Sequence, residues 1–127
     1  MRTGRHGRDR DHGAAAVEFA LVLPILILLL GGIIDFGFAF NAQISLTHAA
    51  REGVRVEAIG IDGVDPVATA VNAFSAPGVS GATAQVTQSC TGGGGQAQVT
   101  ITTTYSFFLL PFADRSLEGQ AVMRCGG

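Results

Sequence analysis

Phe19 to Ile34 (FALVLPILILLLGGII) carries no charge, and extending it back to Ala14 gives 21 residues interrupted only by Glu18. At 1.5 Å per residue, a helix of about 20 apolar residues spans the roughly 30 Å hydrocarbon layer of a bilayer. Asp35 closes the run. Beyond it, Phe36, Phe40, Ile44, Thr47 and Ala50 recur at i+3/i+4 spacing, and Val54 extends the stripe. Asn41, Gln43, Ser45, His48, Arg51 and Glu52 fill much of the remainder. The pattern predicts an amphipathic continuation of the same helix to about Ile59, with its apolar stripe receiving a domain or partner. Gly60 and Asp62-Gly63 supply the stop. Asp65-Pro66 reads as N-cap and first-turn proline of a short second helix, whose apolar face is Val67, Ala70, Val71 and Phe74. Ser75 to Gly78 ends it.

Period-two alternation then takes over. Ala84, Val86 and Gln88 alternate with Gln85, Thr87 and Ser89; the TGGGG at Thr91 to Gly95 is a turn. Ala97, Val99, Ile101, Thr103 and Tyr105 alternate with polar neighbours in the cleanest strand of the chain. Phe107 to Phe112 is an apolar crossover, and Leu117, Ala121 and Met123 share one phase of a last strand. The expected fold class is α+β: a long N-terminal transmembrane and amphipathic helix, a short second helix, and a three-stranded antiparallel sheet leaning on the long helix. The expected divisions are a basic leader at 1–13, a transmembrane helix at 14–35, a helix extension at 36–60 and a small α+β domain at 61–127.

Charge sets the orientation. Arg2, Arg5, Arg8 and Arg10 precede the apolar run, and no Arg or Lys follows it until Arg51, which puts the N-terminus in the cytoplasm and the C-terminal domain outside the cytoplasmic membrane. The leader reads as disordered. A cleaved secretory signal is the competing reading. It wants an apolar core of about 7–15 residues and a small-residue cleavage site, whereas this run is longer and is followed by Phe36, Phe38 and Phe40. Pro24 inside the run either marks helix–helix packing, where a neighbour satisfies the freed carbonyl, or is a harmless kink. A net charge of −2 offers no bulk attraction to nucleic acid, and all eight basic residues are Arg.

Glu18 is costly at the start of a membrane helix, and such a carboxylate is a functional hypothesis. Its setting, Gly13-Ala14-Ala15-Ala16-Val17-Glu18-Phe19 behind a basic leader, resembles the processing site of type IV-like prepilins. That resemblance implies cleavage after Gly13 by a prepilin peptidase. Ala14 would then carry a free amine, and a neighbouring subunit's amine could neutralise Glu18, making it a register key for assembly. The alternative is a Glu18 at headgroup depth, favoured by the positive end of the helix dipole.

The stretch from Gly13 to Gly60 resembles the TadE-like family, minor pseudopilins of tight-adherence (Flp-type) pilus systems. The marks are AAAVEFALVLP, the IIDFG that closes the span, and AAREGVR. Together they cover about a third of the chain. The major Flp pilins are similar but carry almost nothing after the helix, so the C-terminal region here favours the TadE or TadF type. The resemblance implies a structural, assembly role rather than an enzyme, with other pseudopilins or pilin subunits, the membrane secretion machinery and lipid as partners.

Cys90 and Cys125 are the only cysteines, each in phase with the apolar residues of its strand. Outside the cytoplasm they can pair; two free thiols or a metal pair are the other readings. Outer strands of a three-stranded meander lie about two 4.8 Å spacings apart, while a disulfide needs Cα atoms within about 7 Å. A bond therefore asks for the last strand beside the first, or for a tail folding across. His48 and Glu52 stand four apart without a third ligand nearby and read as a surface pair, and Arg51, Glu52 and Arg55 as i,i+4 contacts. Gly92 to Gly95 lacks the Lys-Ser/Thr of a phosphate loop. No nucleophile–base set and no cofactor motif is visible. Besides the pseudopilin reading stand a membrane-tethered binding module unrelated to pili and a secreted protein with a long signal.

Overall fold

A computed structural model of the chain describes residues 8–91, 94–109 and 113–126, with side chains described from Gly13 onward. Arg2, Arg5 and His6 of the leader, Gly92 and Gly93 of the expected turn, and Leu110 to Phe112 of the apolar segment lie outside the described residues. The elements are α1 (Arg8–Ile59), α2 (Pro66–Ala73), β1 (Thr83–Gln88), β2 (Gln96–Tyr105) and β3 (Arg115–Arg124). Helix α1 starts at Arg8, so the leader expected to be disordered is helical from that residue on, and Pro24 lies inside the helix. The chain divides into two compact units, Met1–Ile34 and Asp35–Gly127.

Within the second unit, α1 ends where the glycine allows. Gly60 takes φ +68°, a left-handed conformation that costs other residues more, and its N–H reaches the Val56 carbonyl at 3.0 Å. The start of α2 follows the cap chemistry. The Asp65 carboxylate accepts the Val67 N–H at 2.9 Å, and Pro66, which has no N–H to leave unsatisfied, fills the first helical position.

The sheet has the order β1-β2-β3, with both pairings antiparallel. Alternation on β2 becomes burial: Ala97, Val99, Ile101, Thr103 and Tyr105 face the core, and Gln98, Thr100 and Thr102 the outer side. The core joins Leu46, Ala49, Ala50, Val54 and Ala58 of α1 and Ala70 of α2 to Ala97, Val99 and Ile101. Leu117, Ala121 and Met123 of β3 pack against it, on the expected phase. Because β2 and β3 are antiparallel neighbours, the segment after Tyr105 joins adjacent strands and is not a crossover.

The expected stripe of α1 holds only at its far end, where Ala50 and Val54 enter the core; its aromatic part does not. Phe36, Phe40 and Ile44 are exposed, whereas Asp35, Ala42, Leu46, Ala49, Ala50, Gly53 and Val54 are buried. Close approach is the reason. A Cβ on Gly53 would lie 2.8 Å from Ala70 Cβ, and one on Gly119 of β3 would lie 2.5 Å from the carbonyl carbon of Leu46. A helix packed this tightly on a sheet needs small residues at the contact, and the large rings are turned out.

Cys90 and Cys125 are disulfide-bonded, with Cα atoms 5.7 Å apart. The last strand does not lie beside the first, so of the two geometries expected, the tail folding across is the one adopted. Neither cysteine belongs to a strand: β1 ends at Gln88 after a register shift beyond Val86, and β3 ends at Arg124. At that end β2 begins only at Gln96, opposite Arg124, so the tails meet beyond the end of the middle strand. The Cys125 N–H donates to Gly95 O at 3.1 Å.

Candidate assembly and membrane-contact site

Gly13, Ala14, Glu18 and Phe19 all lie on α1, and from Val17 to Ile34 every large apolar side chain is exposed. Ala14 and Glu18, four residues apart, share one helix face. Glu18 is exposed, with Phe19 beside it at 63% exposure. Gly13 has no packing reason to be glycine, since a Cβ there would meet nothing within 4 Å. A glycine in a helix interior costs about 1 kcal/mol relative to alanine, so Gly13 lowers the helix propensity of this turn with no packing gained in return.

Such a surface is unstable in water. Burying one Leu, Ile or Phe side chain is worth roughly 1.5–3 kcal/mol, and none of this segment's most apolar stretch is buried within the protein. Among the described residues α1 is the one helix long and apolar enough to cross a membrane.

Asp35, read from the sequence only as the end of the apolar run, has a structural task that the sequence reading missed. Its side chain is 4% exposed. Its carboxylate accepts the N–H of Phe108 at 3.1 Å and of Leu109 at 3.0 Å, and its carbonyl accepts the Tyr105 hydroxyl at 3.3 Å. This clamp fixes the loop after β2 against the first turn of the second unit. Burial raises the Tyr105 pKa above its ordinary value of 10.0, and the negative charge of Asp35 adds to the effect. Phe107 stands edge-on to Tyr105 (centroids 5.1 Å apart) and to Phe36 (6.1 Å). A groove of about 300 Å³ opens beside these rings, lined by Phe36, Ala39, Phe40, Phe107 and Leu117, with Arg115 also lining it. The signal available in the sequence was an acid, rather than the usual basic anchor, closing the apolar run amid phenylalanines.

Further contacts hold α1 to the rest of its unit. Gln43 Nε2 donates to Glu118 O at 2.6 Å, and Ser45 Oγ donates to Ser75 O at 2.7 Å while accepting the Ser75 N–H. Near the helix end, Glu57 accepts the Cys90 N–H at 3.2 Å, and Gly126 N–H donates to Ala58 O at 3.0 Å. That last bond satisfies one of the carbonyls a helix terminus leaves open. His48 and Glu52 are both exposed, and among the described residues no three His, Cys, Asp or Glu side chains gather as a metal site would require.

The fold and the bare helix define a chain with one small α+β unit and a helix that fits a single-pass membrane anchor. Residues 13–55, about a third of the chain, match the family model described as TadE: TadE-like protein. That match supports a pilus-associated component of tight-adherence systems. No curated protein and no solved structure matches the chain.

Proposed function

We propose that this protein is a pseudopilin-like structural component of a tight-adherence pilus, held in the cytoplasmic membrane by α1 with its N-terminus in the cytoplasm and its α+β unit outside. The observation that carries this reading is the coincidence of the TadE match, residues 13–55, with a helix whose stretch from Ala14 to Ile34 exposes apolar side chains apart from Glu18. A helix with no contacts of its own to lose can pass from lipid into a bundle of like helices. Glu18 then acts as the registering charge, because an uncompensated carboxylate in an apolar bundle is costly and a subunit amine relieves that cost in only one register. Sibling pseudopilins and the membrane assembly machinery are the partners this chemistry needs, and a prepilin peptidase acting after Gly13 would supply the amine on Ala14.

Mass spectrometry of the protein extracted from membranes tests the processing step. A chain beginning at Ala14 is the expected result, and a chain beginning beyond residue 38 would remove the anchor altogether. Glu18→Ala is expected to leave membrane insertion intact while reducing assembly; assembly at the normal level removes the registering role.

A further inference from the structure

The second unit carries a group of phenylalanines beside the Asp35 clamp, three of them exposed. Phe108 is 88% exposed, yet its own backbone N–H is bound by the buried Asp35 carboxylate, so its ring is held out on an anchored loop. Phe36 and Phe40, at 61% and 67% exposure, line the groove into which Phe107 also faces. We infer that this surface is an interfacial foot: Phe36, Phe40, Phe107 and Phe108 rest in the headgroup and upper acyl region of the leaflet from which the unit emerges. The inference rests on the reading of α1 as a membrane anchor.

Position along the chain names the occupant. The 21 residues from Ala14 to Ile34 measure about 31 Å as a helix and use up the roughly 30 Å hydrocarbon layer. Phe36 and Phe40 follow Ile34 by about 3 and 9 Å of helix rise. Each interfacial layer is about 5–8 Å thick, so these rings fall in it or at its outer edge. Phe is among the side chains that interfacial segments bury about 5–10 Å deep at the boundary between headgroups and acyl chains. Arg115, exposed on the same groove, supplies a cation where lipid phosphates lie. The foot fixes how deep the unit sits and which of its faces turns toward the bilayer.

The chain contains no Trp, so single tryptophans report without background. The test uses the full chain in phosphatidylethanolamine/phosphatidylglycerol vesicles containing lipids brominated either near the headgroup or deep in the acyl chain. Three variants are compared: Phe108→Trp in the foot, Leu26→Trp in the apolar run, and Val122→Trp on the outer side of the sheet. The expected result is blue-shifted emission of Phe108→Trp, quenched more by the shallow label than by the deep one. Leu26→Trp should be quenched by the deep label and Val122→Trp by neither. Deep quenching of Leu26→Trp with Phe108→Trp emitting as Val122→Trp does would overturn the foot and leave the anchor standing. Shielding of Phe108→Trp only at high protein-to-lipid ratio would overturn it in favour of contact between copies. An unquenched Leu26→Trp would remove the anchor reading, and the foot with it.

Discussion

Gly119 is paired with Ile101 across the sheet, and its missing side chain lets β3 lie against the backbone of α1. A Cβ would come 2.5 Å from the carbonyl carbon of Leu46 and 2.7 Å from its Cβ, and helix backbone cannot rotate away as a side chain can. Gly119→Ala is therefore expected to destabilise the unit by about 1–3 kcal/mol, the usual cost of overpacking; thermal denaturation with an unchanged midpoint would refute the close approach. Tyr105 offers a second test because it is the only tyrosine of the chain. Its folded pKa lies above its ordinary value of 10.0, first through burial and then through Asp35. Its stabilising contribution is thus fully present below about pH 10 and is lost as pH rises through the folded value. Phenolate absorbance should titrate with a midpoint above 10, and Tyr105→Phe should flatten the alkaline loss of stability. A midpoint at the ordinary value would show that the ring is open to water.

At the scale of elements, the disulfide staples the ends of β1 and β3 beside the last turn of α1. Closing a loop of 35 residues stabilises by about 4 kcal/mol in the chain-entropy view. Replacing both cysteines by serine is expected to cost roughly that much and to speed amide exchange at Ile59 and Gly60; equal stability of the two forms in denaturant would dismiss the staple. The strands and α2 were readable because alternation on β2 and the Asp65-Pro66 cap are local signals. The packing face of α1 was readable only at its far end, through Ala50 and Val54. Its aromatic stripe and its alanine-glycine stripe both satisfy helical spacing, and periodicity cannot say that the contact wants small residues. Asp35 was opaque for a related reason, since its partners are backbone N–H groups more than seventy residues away.

For the whole molecule, the α+β class, a long apolar helix followed by a short helix and three strands, followed directly from patterning along the chain. Sheet order did not, because the cysteine geometry was compatible with two arrangements and only the length of β2 decides between them. The contacts along α1 have a mechanical consequence. Hydrogen bonds at Asp35, Gln43, Ser45, Glu57 and Ala58 tie the helix to the rest of its unit near both ends of the stretch that unit contains. Tension applied along the helix is therefore shared among these ties in parallel instead of opening them one after another. Pulled at the helix, the folded unit would hold as a splice holds in a rope, and would shear only when several ties give way together.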